Sequence, residues 1–497
     1  MLPLKILLVW PKMPPTYCGY EYILPIVGKK SANLPLGILT IPSMLPKEWD
    51  LKFVDMNINQ IDNYSIMWAD MIFISAMQIQ KDSFEHVVEL CKLFNKPVVA
   101  GGPYATNNFE NIIGVSHFVL NEGEITLPEF LNDLKSGSPK YIYKTDKKFD
   151  ITSTPMPRFD LIKLSDYASV SVQFSRGCPF NCEFCNVVQL FGRKIRTKTN
   201  DQIIKEFDQL YNYNWMGNVF IVDDNFIGDK RRAKNLLKEI IKWQKKYEYP
   251  FSLFTQTSIN VSEDDELLGL LREAGFGMLF IGIETPNKDS LSETGKEQNL
   301  KINLLESIHK IHSYGIEVDA GLIVGFDNDG EDIFEKQMEF IEKANIVSAL
   351  VGVLTALPGT RLYERLKKEN RLLSDSLGIN THSSGINFIP TMGHNELING
   401  YNNLMRHLYN PKNYFNRCIS LLRKLESNKN YSRKFRMIYI WYLIKIVSVQ
   451  TFSSYGLSYI WYMIRLLSIR PKSFVEGLRM AIQGHHFFKM VRKYEDK

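Results

Sequence analysis

The stretch Ser175-Arg-Gly-Cys-Pro-Phe-Asn-Cys-Glu-Phe-Cys-Asn186 places Cys178, Cys182 and Cys185 on one short run of chain. The C-x3-C-x2-C spacing allows each thiolate to bind a different iron of a [4Fe–4S] cluster. The fourth iron then lacks a protein ligand, unlike in ferredoxins, where four cysteines bind the cluster. A structural zinc site is the alternative, but a closed zinc site needs a fourth ligand. The other cysteines lie far away in the sequence, and no histidine follows within twenty residues. The spacing therefore predicts a cluster with one open iron.

This cysteine motif resembles that of the radical S-adenosylmethionine (SAM) superfamily. The resemblance implies that the amino and carboxylate groups of SAM occupy the open iron, and that an electron from the cluster cleaves the sulfonium. Phe184, between the last two cysteines, stands where that superfamily commonly has an aromatic residue beside the adenine. The electron comes from a reducing donor such as flavodoxin or ferredoxin.

Length and cysteine content predict a multidomain protein of a reducing compartment. With 497 residues and 45% hydrophobic content, two to four domains are expected. Six cysteines, half of them in one motif, do not form a disulfide framework, which favours the cytoplasm. The first ten residues are apolar but lack a basic region and a cleavage site, so they predict a buried strand rather than a signal peptide.

Charge is distributed unevenly along the chain. Residues 410–497 contain 17 Lys and Arg against four acidic residues, a net charge of +13, whereas the whole chain carries +6. The remainder is therefore mildly acidic, at −7. A basic tail predicts contact with an anionic partner or with the inner face of a membrane as a peripheral protein. No motif for nucleic-acid recognition accompanies the charge, so we expect no nucleic acid as a partner.

Residues 1–145 alternate apolar runs with helical patterns, which predicts a doubly wound, Rossmann-like parallel sheet. Ligands of such sheets bind at the carboxyl ends of the strands. The predicted strands are Lys5–Val9, Leu51–Val54, Met71–Ser75, Val98–Ala100 and His117–Val119.

The loops that follow these strands resemble those of the cobalamin-binding domain that precedes many radical SAM enzymes. Small residues there would let a corrin ring or nucleotide tail approach the backbone. Many cobalamin domains place a cobalt-ligating His two residues after an Asp, but this chain has Asn57 after Asp55. The resemblance therefore implies cobalamin without a His ligand from this motif, and a flavodoxin-like domain with ordinary turns is the alternative. The candidate cobalamin-binding residues are Asp55, Asn57, Ser75, Ala76, Gly101, Gly102 and Glu122.

Residues 146–375 begin with a linker rich in Pro, Ser and Thr and continue as a second series of strands and helices. Six such units fit the partial (β/α)6 barrel of the radical SAM fold, with the cysteine loop after the first strand. The predicted strands are Ala168–Phe174, Asn218–Val222, Ser252–Thr255, Met278–Ile283, Glu317–Val324 and Ala349–Leu354.

Catalytic groups of βα barrels lie at the carboxyl ends of the strands. The run Gly282-Ile-Glu284 and the pair Gln256 and Ser258 resemble SAM-contacting positions of related enzymes. An ordinary alternative is that the paired aspartates after the second strand are helix caps or solubilising loop residues. The candidate SAM-binding residues at these ends are Asp223, Asp224, Gln256, Ser258 and Glu284.

Residues 376–497 have helical periodicity and many aromatic residues. Met437–Val447 and Tyr455–Leu467 are rich in Trp and Tyr and are flanked by basic residues. Ile446–Ile464 carries no formal charge, but its many hydroxyl groups disfavour a membrane span. The pattern predicts a mostly helical domain whose helices lie at an interface, roof an apolar cavity, or form a plain helical core.

In this domain order, the whole chain resembles cobalamin-dependent radical SAM enzymes of the group that includes the hopanoid C-2 methylase. Ala481-Ile-Gln-Gly-His-His-Phe487 is similar to that group's closing motif. The resemblance implies that a 5′-deoxyadenosyl radical takes hydrogen from an unactivated carbon of a small-molecule substrate, for which a lipid is one option. Methylcobalamin then methylates that carbon. A non-methylating rearrangement, cyclisation or oxidation with the same cofactors is one alternative, and a non-catalytic cobalamin or redox sensor is another.

Overall fold

The chain begins with a parallel sheet that is covered by helices on both faces. The computed structural model describes residues 3–373, 386–425, 438–469 and 471–495. The strands in the first part are β1 (Lys5–Trp10), β2 (Ser31–Asn33), β3 (Asp50–Asp55), β4 (Met71–Ser75), β5 (Val98–Gly101), β6 (His117–Val119) and β7 (Ile142–Tyr143). Within the described residues the first sheet has the order β3-β1-β4-β5-β6-β7, and each adjacent pair is parallel.

Alternate side chains of this sheet pack into two separate cores. Leu7 and Val9 of β1 belong to one core, on the side of α3 and α4, whereas Ile6 and Leu8 belong to the other, on the side of α1 and α5. Because period-two alternation sends neighbouring residues to opposite faces, both faces of the sheet are buried. The predicted doubly wound sheet is confirmed. The helices are α1 (Leu36–Thr40), α2 (Asn63–Trp68), α3 (Lys81–Leu93), α4 (Gly102–Asn108) and α5 (Gly123–Ser136).

A second sheet forms the partial barrel. Its predicted strands all occur, with bounds that differ by at most two residues. The order within the described residues is β15-β14-β13-β12-β11-β8-β2, with every adjacent pair parallel. A short antiparallel pair, β9 and β10, flanks the cysteine loop. The strands are β8 (Tyr167–Val172), β9 (Ser175–Arg176), β10 (Arg196–Thr197), β11 (Asn218–Ile221), β12 (Ser252–Thr257), β13 (Phe276–Glu284), β14 (Glu317–Val324) and β15 (Ala349–Val353).

Strand β2 belongs to the barrel although it lies within the first part of the chain. Ser31 pairs with Tyr167 and Asn33 with Ser169, so β2 extends the sheet beyond β8 as a seventh strand. The Ser169 hydroxyl donates to the carbonyl of Ala32 at 3.1 Å. A strand of three residues carries too little periodicity to be found in a sequence, and we did not predict it.

The barrel strands present one face to the outer helices and the other to the barrel interior. Leu279 and Ile281 of β13 are fully buried in the core shared with those helices. Phe280, between them, is only partly buried and faces the interior. The helices are α6 (Val187–Phe191), α7 (Asn200–Asn212), α8 (Lys230–Lys246), α9 (Asp265–Ala274), α10 (Lys288–Glu293), α11 (Glu297–Leu300), α12 (Leu304–Ser313), α13 (Ile333–Ala344) and α14 (Arg361–Lys368).

The described C-terminal residues are helical, as predicted. The uncharged stretch is divided between α17 and α18, and within the described residues no helix combines the length and the apolar character that a membrane span requires. The predicted basic flank at residues 433–436 lies outside the described residues. The helices are α15 (His394–Leu408), α16 (Pro411–Lys424), α17 (Ile438–Thr451), α18 (Gly456–Ile469) and α19 (Phe474–Glu495).

Candidate functional site

The cysteine loop follows β9 at the carboxyl end of the barrel. Gly177 begins it with φ +98°, and a Cβ at this position would lie 2.9 Å from the carbonyl oxygens of Gly192 and Lys194. Only glycine fits here, because any Cβ would lie too close to these two backbone carbonyl groups. The Cys178 amide donates to the Gly192 carbonyl at 3.2 Å, which fixes the start of the loop against the residues before β10.

The three cysteines of the loop are partly buried free thiols. Burial raises the pKa of Cys178 and Cys182, and it raises that of Cys185 to about 12. In the part of the chain that the structure describes, no three His, Cys, Asp or Glu side chains converge on one point as ligands of a single metal ion do. Thiolates around zinc share one ion at about 2.3 Å each, whereas the cysteines of a cluster bind separate irons. Three cysteine thiols on one loop are a donor set that fits a cluster with one open iron.

Asp223 and Asp224 support the cysteine loop from below. Asp223 accepts from the Phe174 amide at 2.8 Å and from the Ser175 hydroxyl at 2.7 Å. Asp224 accepts from the Gly177 amide at 3.3 Å. Burial raises the pKa of Asp223 to about 7 and that of Asp224 to about 6. Both carboxyls therefore bind the chain that enters the cysteine loop, so their geometry favours positioning of the loop over direct contact with SAM.

Glu284 ends β13 in a left-handed conformation, φ +65°. Its carboxylate forms a buried ion pair with Lys296, with Oε1 and Nζ 2.5 Å apart. Charge interactions link Lys296 to Cys182 and Cys185, which places the ammonium group beside the cysteine loop. A Cβ at Gly282 would overlap this pair, so the glycine provides its space. Lys296 was not predicted from the sequence, because a lysine between two short helices gives no periodic signal.

Two side-chain amides beside the Glu284–Lys296 pair each have a carbonyl oxygen without a hydrogen-bond partner. Asn299 donates to the carbonyl oxygens of Gly282 at 3.1 Å and Ile283 at 2.9 Å, but its own Oδ1 has no hydrogen-bond partner. Gln298, which interacts with Cys182, has an unpartnered Oε1. Since buried polar groups are nearly always paired, these oxygens indicate room for a hydrogen-bond donor of a ligand next to the cysteines.

The remaining predicted SAM contacts take different positions. Ser258 is bound to the Asn225 side chain, with its Oγ 3.1 Å from Nδ2, and donates to Asn260 Oδ1 at 2.6 Å. Gln256 is partly exposed and faces the barrel interior. The Phe184 ring lies 6.0 Å from that of Phe326 and is partly buried. The structure thus brings Phe184 and Glu284 to the cysteine loop, whereas Ser258 belongs to a hydrogen-bond network between neighbouring strands.

The barrel interior is lined by accessible apolar side chains. The Phe220 and Phe254 rings stack with centroids 4.7 Å apart, and Met278 and Phe280 continue the row on β13. A Cβ at Gly321 would lie 3.0 Å from the Phe280 ring, which therefore reaches across the neighbouring strand. These side chains are central in the sheet and yet partly exposed. We call this apolar lining of the barrel interior, formed by Phe220, Phe254, Met278 and Phe280, the apolar chamber.

The candidate cobalamin edge is built around Gly101 and Gly102. Gly102 has φ +81°, and a Cβ there would overlap Ser75 Oγ and lie 3.1 Å from Ala76 N and O. A Cβ at Gly101 would lie 2.9 Å from the Val119 carbonyl oxygen. The loops after β4 and β5 therefore meet without side chains between them.

The side chains of Asp55 and Asn57 form hydrogen bonds within the protein. Asp55 Oδ1 accepts from the Asn57 side chain at 2.7 Å and Oδ2 accepts from the Tyr167 hydroxyl at 2.9 Å. The Met13 amide donates to Asn57 Oδ1 at 2.8 Å. This motif orders the loops at the sheet edge and binds the barrel through Tyr167, and it offers no imidazole to a cobalt ion.

Glu122 connects the two sheets. Its carboxylate pairs with Arg196 at 2.8 Å and with Arg176, the residue two before Cys178, at 3.2 Å. The amide of Phe149 donates to its Oε2 at 2.6 Å. The side chain is 2% exposed. A role of Glu122 in cobalamin binding stays a prediction; the geometry shows a buried ion-pair network that joins the first sheet to the cysteine loop.

Comparison with known proteins identifies the class to which this site belongs. The Radical SAM superfamily matches residues 172–341, and a family described as a domain of unknown function matches residues 360–497. A cobalamin-dependent S-adenosylmethionine radical enzyme, OxsB, has a similar structure, with a TM-score of 0.61 and 17% identity over 100% of this chain and 80% of that chain. The superfamily and fold that the cysteine motif predicts are confirmed.

Two relatives define the family more closely. An uncharacterised methyltransferase of Synechocystis sp. is 42% identical over 86% of this chain and 80% of its own length. The hopanoid C-2 methylase of Rhodopseudomonas palustris is 33% identical over 82% of this chain and 77% of its own length. The chain therefore belongs to the radical SAM methyltransferase family that contains the hopanoid C-2 methylase. This membership favours an enzyme over the sensor alternative.

Proposed function

We propose that this protein is a cobalamin-dependent radical SAM methyltransferase that methylates an unactivated carbon of an apolar, lipid-like small molecule. The apolar chamber formed by Phe220, Phe254, Met278 and Phe280 is the observation that carries the substrate class. Accessible aromatic side chains in the centre of a sheet are costly unless a ligand covers them. The hopanoid named for the Rhodopseudomonas relative is a molecule of this kind, which extends the proposal to polycyclic triterpenoids.

Three groups of residues fit the cofactors that this proposal requires. Cys178, Cys182 and Cys185 would hold a [4Fe–4S] cluster. Glu284 and Phe184 lie beside the cysteine loop, where they would bind SAM together with Lys296. The edge around Ser75, Ala76, Gly101 and Gly102 would hold cobalamin, because the loops after β4 and β5 meet there without side chains between them.

When bound, these cofactors supply a 5′-deoxyadenosyl radical, which takes hydrogen from the substrate carbon, and the methyl group that replaces it. An external reducing donor such as flavodoxin or ferredoxin supplies the electron. The chain itself contributes three things. Asp223 and Asp224 hold the entry to the cysteine loop, the Glu284–Lys296 pair presents one anchored charge of each sign, and the apolar chamber keeps water from the reacting carbon.

The test is anaerobic reconstitution of the full chain with iron, sulfide and cobalamin, followed by addition of a low-potential reductant, methyl-labelled SAM and a hopanoid-containing lipid extract. We expect label in the triterpenoid fraction and 5′-deoxyadenosine in equal or greater amount. The Cys182→Ala variant is the control and should give neither product. Label confined to water-soluble compounds would contradict the substrate class, and 5′-deoxyadenosine without methylated product would favour the non-methylating alternative.

Peripheral membrane contact forms a second part of the proposal. Phe452 is 88% exposed, Leu457 79% and Trp461 66%, and these residues lie on or between α17 and α18. The exposed cation Arg465 follows Trp461 by about one helical turn in α18, and Lys472 is exposed just beyond the end of that helix. Near an anionic surface each such cation contributes on the order of 1 kcal/mol of attraction, and exposed aromatic rings insert at the headgroup level.

Flotation with anionic liposomes tests this contact. We expect the full chain to float at low salt, and the Phe452→Ser/Leu457→Ser variant to remain at the bottom of the gradient. Because both positions are exposed, the variant should keep its thermal stability. Equal flotation of the two proteins, or failure of the native chain to float at low salt, would contradict membrane binding through these helices.

A further inference from the structure

The barrel has a polar floor at the end opposite the cysteine loop. Glu317 and Asp319 lie at the start of β14, and the carboxylate of Glu317 pairs with Arg479 of α19. The segment after β1 adds Cys18 and Tyr20. We call these five residues the floor. They come from three distant parts of the chain, and neither the cofactor sites nor the cysteine loop uses any of them.

The floor faces the apolar chamber. Asp319 is the register partner of Phe280, so the two side chains lie on the same face of neighbouring strands, about 5 Å apart at the backbone. Gly321, two residues further along β14, lies under the Phe280 ring. Glu284 is four residues beyond Phe280 on β13, which places the floor about 13 Å below the end of that strand.

Two buried oxygens of the floor have no partner within hydrogen-bond distance, and the buried Ser348 hydroxyl, which also lacks such a partner, lies beside Asp319. Asp319 is 6% exposed and its Oδ1 is unpartnered; Glu317 is 4% exposed and its Oε1 is unpartnered. Leaving such groups unpaired costs free energy, so two of them on adjacent residues of the same strand face indicate a ligand that completes their hydrogen bonds.

The floor is enclosed and yet accessible. Cys18 has exposed surface, but burial raises the pKa of its thiol to about 12, with Asp319 as the next cause. Arg479 has a side chain 45% exposed, although it lies against two buried carboxyl groups. Cys18 and Arg479 thus have accessible surface although many protein atoms surround them, as is expected of side chains that line an internal space.

The charge of the floor excludes ionic ligands. Glu317 and Arg479 neutralise each other. Burial and the neighbouring Glu317 raise the pKa of Asp319 well above its ordinary value, which favours the neutral form of this carboxyl. A neutral acid with one free acceptor oxygen both donates to and accepts from a hydroxyl group. An anionic ligand would lie close to the carboxyl groups of Glu317 and Asp319, and a cationic ligand would be repelled by Arg479.

We propose that Asp319 and Glu317 bind the hydroxylated end of an elongated apolar substrate, whose hydrocarbon part packs against the chamber and extends toward the cysteine loop. This inference rests on the proposed function and specifies its substrate: an apolar skeleton with a neutral hydroxyl-bearing terminus about 13 Å or more from the carbon that is methylated. Because a site that binds a hydroxyl group rejects the analogue without it, the floor selects among lipids with the same skeleton.

The experiment measures equilibrium binding of two probes to the cluster- and cobalamin-loaded full chain in detergent. One probe is a hopanoid hydrocarbon, and the other is a hopanoid with the same ring system and a hydroxylated side chain. We expect the native chain to bind the hydroxylated probe at least tenfold more tightly. Asp319→Leu should remove this preference and leave hydrocarbon binding within about twofold, whereas Asp319→Asn should retain part of it.

Val318→Ala is the matched control, because Val318 is the adjacent residue of the same strand and packs into the outer core. It should lower thermal stability and keep the preference between the probes. Equal affinity for the two probes, an unchanged preference in Asp319→Leu, or no binding of either probe would overturn the assignment of the floor. The labelling experiment above decides the proposed function separately, because methylation of hopanoids without any preference would leave that function intact.

Discussion

Replacement of Gly102 by Ala tests how tightly the candidate cobalamin edge is built. The residue has φ +81°, which costs an L-residue roughly 1–2 kcal/mol. Its Cβ would also overlap Ser75 Oγ and approach Ala76 N and O to 3.1 Å, and such overpacking costs about 1–3 kcal/mol. We therefore expect Gly102→Ala to lower the free energy of unfolding by about 2–5 kcal/mol.

Gly137 is the control for backbone strain. It has nearly the same conformation, φ +78°, at the end of α5 in the same part of the molecule, and a Cβ there would have nothing within 4 Å. Gly137→Ala should cost only the roughly 1–2 kcal/mol of strain and leave cobalamin binding unchanged. Ser75→Ala combined with Gly102→Ala should recover part of the difference, since it removes the overlapping hydroxyl but not the contacts with Ala76.

The measurements are thermal unfolding of the three variants and cobalamin retained after gel filtration. We expect Gly102→Ala to lose at least tenfold in cobalamin affinity, because the loops after β4 and β5 must separate to admit the methyl group. Equal stability of Gly102→Ala and Gly137→Ala, together with unchanged cobalamin retention, would refute the argument that the edge is shaped by this close approach.

Three further predictions concern charged groups. Glu284→Gln leaves a buried ammonium without its carboxylate and should weaken anaerobic SAM binding tenfold or more, which equilibrium dialysis would detect; an unchanged affinity would remove Glu284 from the site. Arg196→Ala should lower the apparent Tm of the protein, since its partner Glu122 is 2% exposed, whereas Lys242→Ala, in a pair whose lysine is 72% exposed, should not. Burial lowers the pKa of His486 to about 4, so the stability that its neutral form provides above pH 6.5 should be lost as the pH falls toward 4. At pH 5 the free energy of unfolding should be lower by about 2 kcal/mol. The His486→Gln variant should therefore show a smaller loss of Tm between pH 7 and pH 5.

Long periodic elements were predictable from the sequence. The predicted bounds of β14 coincide with those in the structure, because this strand combines an apolar pattern with clear end signals. The cysteine loop was predictable for a different reason, since a fixed spacing of three ligands specifies chemistry directly. Both signals are local in sequence.

Pairings between distant residues were not predictable. Glu122 meets Arg196 across 74 residues and Arg479 meets Glu317 across 162. A carboxylate after a strand has the same sequence signature whether it binds a cofactor or an arginine, and only the folded chain distinguishes the two. Asp223 illustrates this, since its place after β11 was predicted, whereas its hydrogen bonds to Phe174 and Ser175 were not.

The position of β2 makes the two halves of the chain inseparable. A fragment that starts at residue 146 lacks Ser31–Asn33 and exposes the edge of β8, the strand that leads into the cysteine loop. Unpaired edges promote aggregation, so we expect a barrel expressed alone to be insoluble, while addition of the N-terminal half as a separate polypeptide should restore it. Because the N-terminal half supplies a strand to the barrel, it cannot be exchanged as an independent module. We expect the two regions to evolve together as one unit.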